Sequence, residues 1–305
     1  MEGRDLKAIL KLGRFPFVIG GLLLYLFGYM LAVSAGSEID LTRFIFGYAV
    51  LFCAHLSVSY SNDLFDVETD AHTTATPISG GSKVLVERPD LIPVARSIAL
   101  GLILISLALG ALFVLTYDMH PAFFGLVLLG NLLGYYYSAP PVRLSHRGLG
   151  EAATTVTIGL LVPAMGYFVA SGGLDGAFLV FVPAVLLYGI VFIIVVQLPD
   201  MEGDRLGGKP SIIVKRGRRF GYRVAAGAAA LASLYFLVLG IVAPGASTID
   251  LWVAFLCSLV PTGFAFAAAI VGDLRFEGAA RSSTAVMGSL FLFNILFNAY
   301  MILGV

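Results

Sequence analysis

The stretch NDLFDVETD, residues 62–70, follows without a break from an apolar run at 42–62. A second acidic nonapeptide, VQLPDMEGD at 196–204, closes another apolar run at 176–198. Aligned, the two share Leu64/Leu198, Asp66/Asp200, Glu68/Glu202 and Asp70/Asp204. Seven carboxylates therefore crowd into two short segments of a 305-residue chain that is 59% hydrophobic and only 12% charged. A soluble protein carries roughly a quarter charged residues, and the mean hydropathy here is +0.94. The deficit of charge points to a lipid-embedded chain, provided that apolar runs of about 20 residues exist to cross the hydrocarbon. Nine do, at 16–35, 42–62, 92–117, 121–138, 150–171, 176–198, 219–242, 250–271 and 283–304. Continuous apolar runs of this length do not alternate with period two, so helices rather than barrel strands are expected.

Nine spans place the N-terminus and the even-numbered loops on one side. That side receives every one of the 19 lysines and arginines except Arg43, with Arg4, Lys7, Lys11 and Arg14 before the first span. The positive-inside rule makes it cytoplasmic, in the cell membrane. The first apolar run, from about Phe15, is too long for the h-region of a signal peptide. Cys53 and Cys257 lie isolated in apolar runs and read as packing residues. The four histidines are scattered and suggest no metal triad. The run KRGRR at 215–219 obeys the positive-inside rule and is assigned no site role. With a formal net charge of zero, no nucleic-acid partner is expected.

Both nonapeptides fall at cytoplasmic exits, of spans two and six, four spans apart. This is the trace of a weak internal repeat. Asn62, Asp66 and Asp70 are spaced i, i+4, i+8 and share one face if span two continues as a helix. Asp200 and Asp204 repeat the i, i+4 pair. Like charges at that spacing cost a helix a few tenths of a kcal/mol per pair, and more near a low-dielectric boundary, so the arrangement wants a counter-ion. Carboxylate and amide oxygens without nearby His or Cys favour Mg²⁺ over Zn²⁺. Magnesium usually binds through a few carboxylates plus substrate phosphates, so two facing half-sites suggest a diphosphate held between metal ions. The candidate ligands are Asn62, Asp66, Asp200 and Asp204, with Asp70 a further catalytic carboxylate. Lys209, in DRLGGKPS, is placed to touch diphosphate oxygens. The stretch TPISGGSK at 76–83 offers Ser79, Lys83 and glycine N–H groups to an anion. In YYYSAPPVRLSHRGLGE at 135–151, Tyr137, Arg143 and Arg147 could face a diphosphate, or form an aromatic belt with flanking arginines. Arg14 is either a diphosphate ligand or an orientation anchor. Asp70 or Asp63 could serve as a general base.

With those residues in place the chain resembles the UbiA superfamily of intramembrane prenyltransferases over essentially its whole length. NDLFDVETD matches that family's N-D-x-x-D-x-x-x-D, DMEGD its second D-x-x-x-D, and the nine helices and cytoplasmic motif positions agree. TPISGGSKVL, YSAPPVRLSHRGLGE and DMEGDRLGGK most resemble the branch containing 1,4-dihydroxy-2-naphthoate prenyltransferases. The resemblance implies an allylic isoprenoid diphosphate donor, Mg²⁺, and a lipophilic acceptor entering by a lateral opening to the lipid bilayer. It implies metal ligation by Asn62, Asp66, Asp200 and Asp204, with Asp70 completing the first motif. It further implies diphosphate binding by Lys209 and a cup formed by Tyr137 and Arg143. Gln197 and Pro199 depart from the pattern, standing where naphthoate-type members often carry Asn and Arg. The acceptor therefore stays open among a naphthoate, a hydroxybenzoate, a glycerol phosphate ether and a porphyrin-derived alcohol. A cation-coupled secondary transporter is the rival class, but it would place ionisable residues near span centres. The expected fold is an all-α polytopic membrane protein. Its nine transmembrane helices surround a central cavity opening to cytoplasmic loops, with residues 1–305 as a single domain.

Overall fold

A computed structural model of the chain describes residues 3–304; the side chain of Arg4 lies outside the described residues. Those residues form helices and connecting loops, with no strand among them. The principal helices are α1 (Gly3–Leu12), α2 (Phe15–Ser34), α3 (Leu41–Phe65), α4 (Ile92–Thr116), α5 (Ala122–Ser138), α6 (Gly150–Ser171), α7 (Val182–Leu206), α8 (Arg218–Val242), α9 (Leu251–Val271) and α10 (Phe276–Leu303). Among the described residues eight helices are long and apolar enough to cross a membrane, one fewer than the nine expected, because the fourth expected run, α5, is an apolar helix of only 17 residues. Lipid-facing leucines and isoleucines such as Leu104, Leu115 and Ile270 are left exposed around the outside, as a bilayer solvent allows.

Two spans begin elsewhere than hydropathy suggests. Asp175 accepts N–H bonds from Ala177 and Phe178, capping a separate one-turn helix, Gly176–Leu179, so α7 starts at Val182 with Pro183 in its first turn. α10 starts at Phe276, earlier than 283, because the polar stretch FEGAARSS is helical although it is not hydrophobic. Side-chain caps hold other entries: Asp40 accepts from the Arg43 N–H at 2.9 Å and Asp250 from the Trp252 N–H at 2.8 Å.

The closest crossing joins α2 to α6. A Cβ on Gly28 would overlap the Pro163 carbonyl, and one on Gly166 would overlap the Tyr25 carbonyl, so only glycine lets these backbones touch. α6 also contains a π-helical turn at Thr157–Leu161, a local bulge that tends to mark functional walls. α3 packs on α4 and α5, while α7 packs on α6, α8 and α10. α3 and α7, the helices carrying the acidic segments, make no substantial contact with each other. They stand across a cavity instead.

Candidate active site

α3 does not run on through the first acidic segment. It ends at Phe65, Asp66 occupies the C-cap with φ −103° and ψ 11°, and a one-turn helix covers Val67–Asp70. The expected continuous face is thus broken at Asp66. Two i→i−4 bonds still bridge the break, from Asp66 N–H to the Asn62 carbonyl at 2.9 Å and from Asp70 N–H to the Asp66 carbonyl at 2.7 Å. They hold Asn62, Asp66 and Asp70 on one side despite the kink. The second segment is different: α7 continues to Leu206, so Asp200 and Asp204 stand in its last two turns.

Both segments reach the same cavity, about 260 Å³ in volume. Asn62, Asp63, Asp66 and Asp70 line it from one side, Asp200 and Asp204 from the other, and Arg14, Ser79, Tyr137 and Lys209 complete its polar end. The Lys209 ammonium lies 2.8 Å from Asp66 Oδ2 and ties the second motif's loop to the first motif. Ser138 donates to the same oxygen at 2.9 Å. Burial alone would lower the Lys209 pKa; the charges of Asp66 and Asp204 and the hydrogen bond to Asp66 outweigh it and hold the ammonium above its ordinary range. Asp70 is pushed up to about 7, first by burial and then by the charges of Asp63 and Asp66, against the pull of Lys209 and Lys83. Burial lowers Lys83 despite its acidic neighbours Asp70, Asp200 and Asp63.

The 76–83 loop straps the two half-sites together. The Gly80 N–H donates to Asp200 Oδ2 at 3.1 Å and the Ser82 N–H to Asp63 Oδ2 at 3.1 Å. Lys83 donates to the Asp70 carbonyl and, at 2.7 Å, to the Thr73 carbonyl. Gly81 has φ +69°, and a Cβ there would overlap the Asp70 carboxylate, so the loop can lie against that group only with glycine. The Gly80 N–H, expected to meet a substrate anion, meets the protein's own Asp200 carboxylate instead. Ser79 lines the cavity with its hydroxyl 2.8 Å from that of Thr76.

Asn62 Oδ1, Asp66 Oδ1 and Asp200 Oδ1 are buried without a hydrogen-bond partner. Orphaned carboxylate and amide oxygens are costly unless a cation or donor completes them, and hard oxygen donors suit Mg²⁺. No group of three His, Cys, Asp or Glu among the described residues could hold an ion alone. The donor set therefore fits a metal that draws its remaining ligands from a substrate's phosphates.

Two expected diphosphate ligands are not brought to the wall. Arg143 and Arg147 are both exposed and do not line the cavity. Arg143 takes a left-handed backbone (φ 47°), and Arg147 donates to the Pro141 carbonyl at 3.0 Å. From the same loop, Tyr137 and Ser145 line the cavity. Arg14 stays on the wall, its guanidinium 4.8 Å from the Phe17 ring centre.

Arg218, passed over within KRGRR, is buried beneath the second motif. It donates to the Leu198 carbonyl at 2.8 Å, to Glu202 Oε1 at 2.8 Å and to the Leu274 carbonyl at 2.8 Å. It thereby braces the helix turn that carries Asp200. A cation in the first turn of α8 is disfavoured by the helix dipole, and that was the available signal. Glu151 plays a matching part, accepting the Ile212 N–H at 2.6 Å and so fixing the segment just after Lys209. His55, on α3 deeper than Asn62, also lines the cavity.

Comparison with known proteins agrees with this fold. The model of the UbiA prenyltransferase family matches residues 21–295. The 1,4-dihydroxy-2-naphthoate octaprenyltransferase of Bacillus subtilis is 25% identical over 224 residues, covering 72% of this chain and 68% of that one. The 2-carboxy-1,4-naphthoquinone phytyltransferase of Synechocystis sp. is 36% identical over 95 residues, 30% of each chain. Among solved structures, a UbiA homolog from Archaeoglobus fulgidus bound to GPP and Mg²⁺ superposes with a TM-score of 0.68 at 17% identity, covering 97% of this chain and 98% of that one. A digeranylgeranylglyceryl phosphate synthase does so with a TM-score of 0.66 at 19% identity, covering 98% and 99%. At these identities the structural likeness speaks for the fold.

Proposed function

The chain belongs to the UbiA prenyltransferase family, and from that premise we propose that it moves an isoprenyl group from an allylic isoprenoid diphosphate to an aromatic, quinone-precursor-like acceptor, releasing diphosphate. A multi-pass membrane enzyme with an apolar cavity suits both lipophilic partners. The observation that carries the proposal is the convergence of two acidic segments, from α3 and α7, on one cavity with three buried oxygens left unpaired. A second reading, prenylation of a glycerol phosphate ether, is favoured only by the fold shared with the digeranylgeranylglyceryl phosphate synthase. The segregation of basic residues supports a cytoplasmic position for the cavity's polar end, in the cell membrane, and we take 1–305 to act as one catalytic domain.

Asn62 and Asp66 on one side, and Asp200 and Asp204 on the other, are the residues that would hold Mg²⁺. When bound, the metal supplies positive charge that stabilises the departing diphosphate. The protein's own contribution is electrostatic and steric. Lys209 and Arg14 are the cationic side chains on the cavity wall; directed at the leaving group, they favour the transition state as charge gathers on its oxygens. Ser79 and Tyr137 can donate to the same oxygens. The aromatic walls at Phe17 and Phe192 exclude water and face developing positive charge on the allylic carbon. The acceptor carbon supplies the electron pair that forms the new bond, and its proton passes to a base. Asp70, pushed up to about 7 by burial and its acidic neighbours in the metal-free site, is our candidate for that task, with Asp63 the alternative.

The test is a transfer assay on the purified full-length chain with labelled geranylgeranyl diphosphate, Mg²⁺ and a panel of hydroxylated naphthalenes, hydroxybenzoates and ether-lipid phosphates. Acceptor-dependent diphosphate release, abolished by EDTA, is expected. Ion-driven uptake into proteoliposomes without any diphosphate release would instead make the protein a transporter.

A further inference from the structure

Below the carboxylates, two polar side chains on the cavity wall make no hydrogen bond among the described residues. Gln197 stands three residues before Asp200 on α7, lines the cavity and is 8% exposed, and its Oε1 is buried without a partner. His55 stands seven residues before Asn62 on α3 and also lines the cavity. At about 1.5 Å per residue, Gln197 sits roughly 4–5 Å deeper than Asp200, and His55 roughly 10 Å deeper than Asn62. His55 also borders an adjoining apolar cavity of about 80 Å³, as do Phe17 and Phe192. The imidazole has a place made for it: a Cβ on Gly21 of α2 would overlap its Nδ1. Deep in a membrane a buried amide without a partner is costly, the half-buried His55 imidazole faces the cavity without a hydrogen bond, and none of the diphosphate chemistry described above uses either.

We infer that Gln197 and His55 form the acceptor-recognition pair, binding the hydroxyl groups of a hydroxylated aromatic ring. The inference rests on the prenyl-transfer reading and narrows it. An amide oxygen accepts from a hydroxyl, and a neutral imidazole can both accept and donate. The charge distribution decides against the ether-lipid phosphate. Both cations of the wall lie at the polar end: Arg14 just precedes α2, and Lys209 just follows α7 and is already paired with Asp66. The deeper wall at Val50, Leu51, Leu126, Leu161 and Phe192 is apolar, so a phosphate there would be a buried, unpaired anion. A flat ring can lie against the packed pair of Phe17 and Phe192, whose ring centres are 6.3 Å apart edge to face, at no such cost. Gln197 occupies one of the two positions at which the chain departs from the naphthoate-type pattern, so its specificity need not copy that of its relatives.

The experiment compares three acceptors with the purified full-length protein, geranylgeranyl diphosphate and Mg²⁺: 1,4-dihydroxynaphthalene, its 1,4-dimethyl ether, and geranylgeranylglyceryl phosphate. Wild type should prenylate the first, and use the other two with kcat/KM lower by about 100-fold or more, because each leaves the pair unsatisfied. Gln197→Met and His55→Phe should each raise KM for dihydroxynaphthalene about 5- to 10-fold, with KM for the donor changed less than about twofold. His55→Gln, which keeps a donor and an acceptor, should recover most of that loss. Unchanged acceptor KM in both variants, or equal use of the dimethyl ether or the ether-lipid phosphate by wild type, overturns the pairing. If either variant is not recovered folded, the wild-type comparison decides alone. Wild type that releases no diphosphate with any acceptor defeats the prenyl-transfer reading itself, a different result from an active enzyme indifferent to these two residues.

Discussion

Replacing Lys209 by Met removes the ammonium that sits 2.8 Å from Asp66 Oδ2 and leaves a carboxylate in a nearly closed site, its side chain only 9% exposed. Two effects of different size follow. Breaking a buried ion pair by deleting one partner costs about 3–5 kcal/mol, of which part is recovered because Asp66 can take up a proton or admit water from the cavity. The catalytic loss follows from a separate interaction, since one preorganised donor to a developing anion is worth about 10²–10³ in kcat. Lys209→Met should therefore lower kcat/KM for the donor by about 100-fold and lower the thermal midpoint in detergent. Asp66→Asn removes the stranded charge, so Asp66→Asn/Lys209→Met should regain most of the lost stability and none of the activity. Diphosphate release and thermal unfolding on the four members of the cycle measure both terms. A Lys209→Met enzyme within threefold of wild type, or a double variant no more stable than Lys209→Met, would refute the reasoning.

Asp66→Ala and Asp200→Ala should each abolish transfer while leaving a folded protein, and EDTA should do the same to wild type; retained turnover in any of the three counts against a metal-held leaving group. Burial pushes Asp70 up to about 7 in the metal-free fold against about 3.9 unfolded. Its protonated form thus stabilises the metal-free fold below about pH 4, and that contribution is lost as pH rises to 7. In EDTA, wild type should unfold at lower temperature at pH 8 than at pH 5, with a shallower slope in Asp70→Asn; equal slopes would remove Asp70 as the titrating group. Arg218→Met, which strips the brace from Leu198 and Leu274, should reduce kcat at least 10-fold with donor KM less affected, as turnover at saturating donor would show. Arg143→Ala should leave donor KM within twofold, since the side chain is exposed away from the cavity wall.

Much of this architecture could be read directly from residue order, because a span needs only a long apolar run and a charge at its end. The repeated acidic segments were legible for the same reason: carboxylates beside hydrocarbon are too costly to be incidental. What escaped was the direction of side chains beyond the helix ends. Arg143 and Arg147 follow a turn whose backbone geometry sends them outward, and no local pattern encodes that. Arg218 was hidden among arginines that obey an orientation rule, although its partners lie some 20 and 56 residues away. Backbone N–H groups of the 76–83 loop do meet carboxylates, but these are the protein's own: Gly80 donates to Asp200 and Ser82 to Asp63. His55 gave no signal, since a lone histidine in an apolar run reads the same whether it packs or binds.

The 17 residues of α5 span only about 26 Å at 1.5 Å each, some 4 Å short of ordinary hydrocarbon thickness. Such a mismatch is met by thinning of the lipid or by flanking residues reaching to the interface, and Tyr135 and Tyr136 stand at the end of α5. A bilayer of short acyl chains should therefore match α5 better than one of long chains. Lengthening the acyl chains of a reconstituted bilayer should tilt α5 and, through its packing on α3, disturb the wall on which the first acidic segment is mounted.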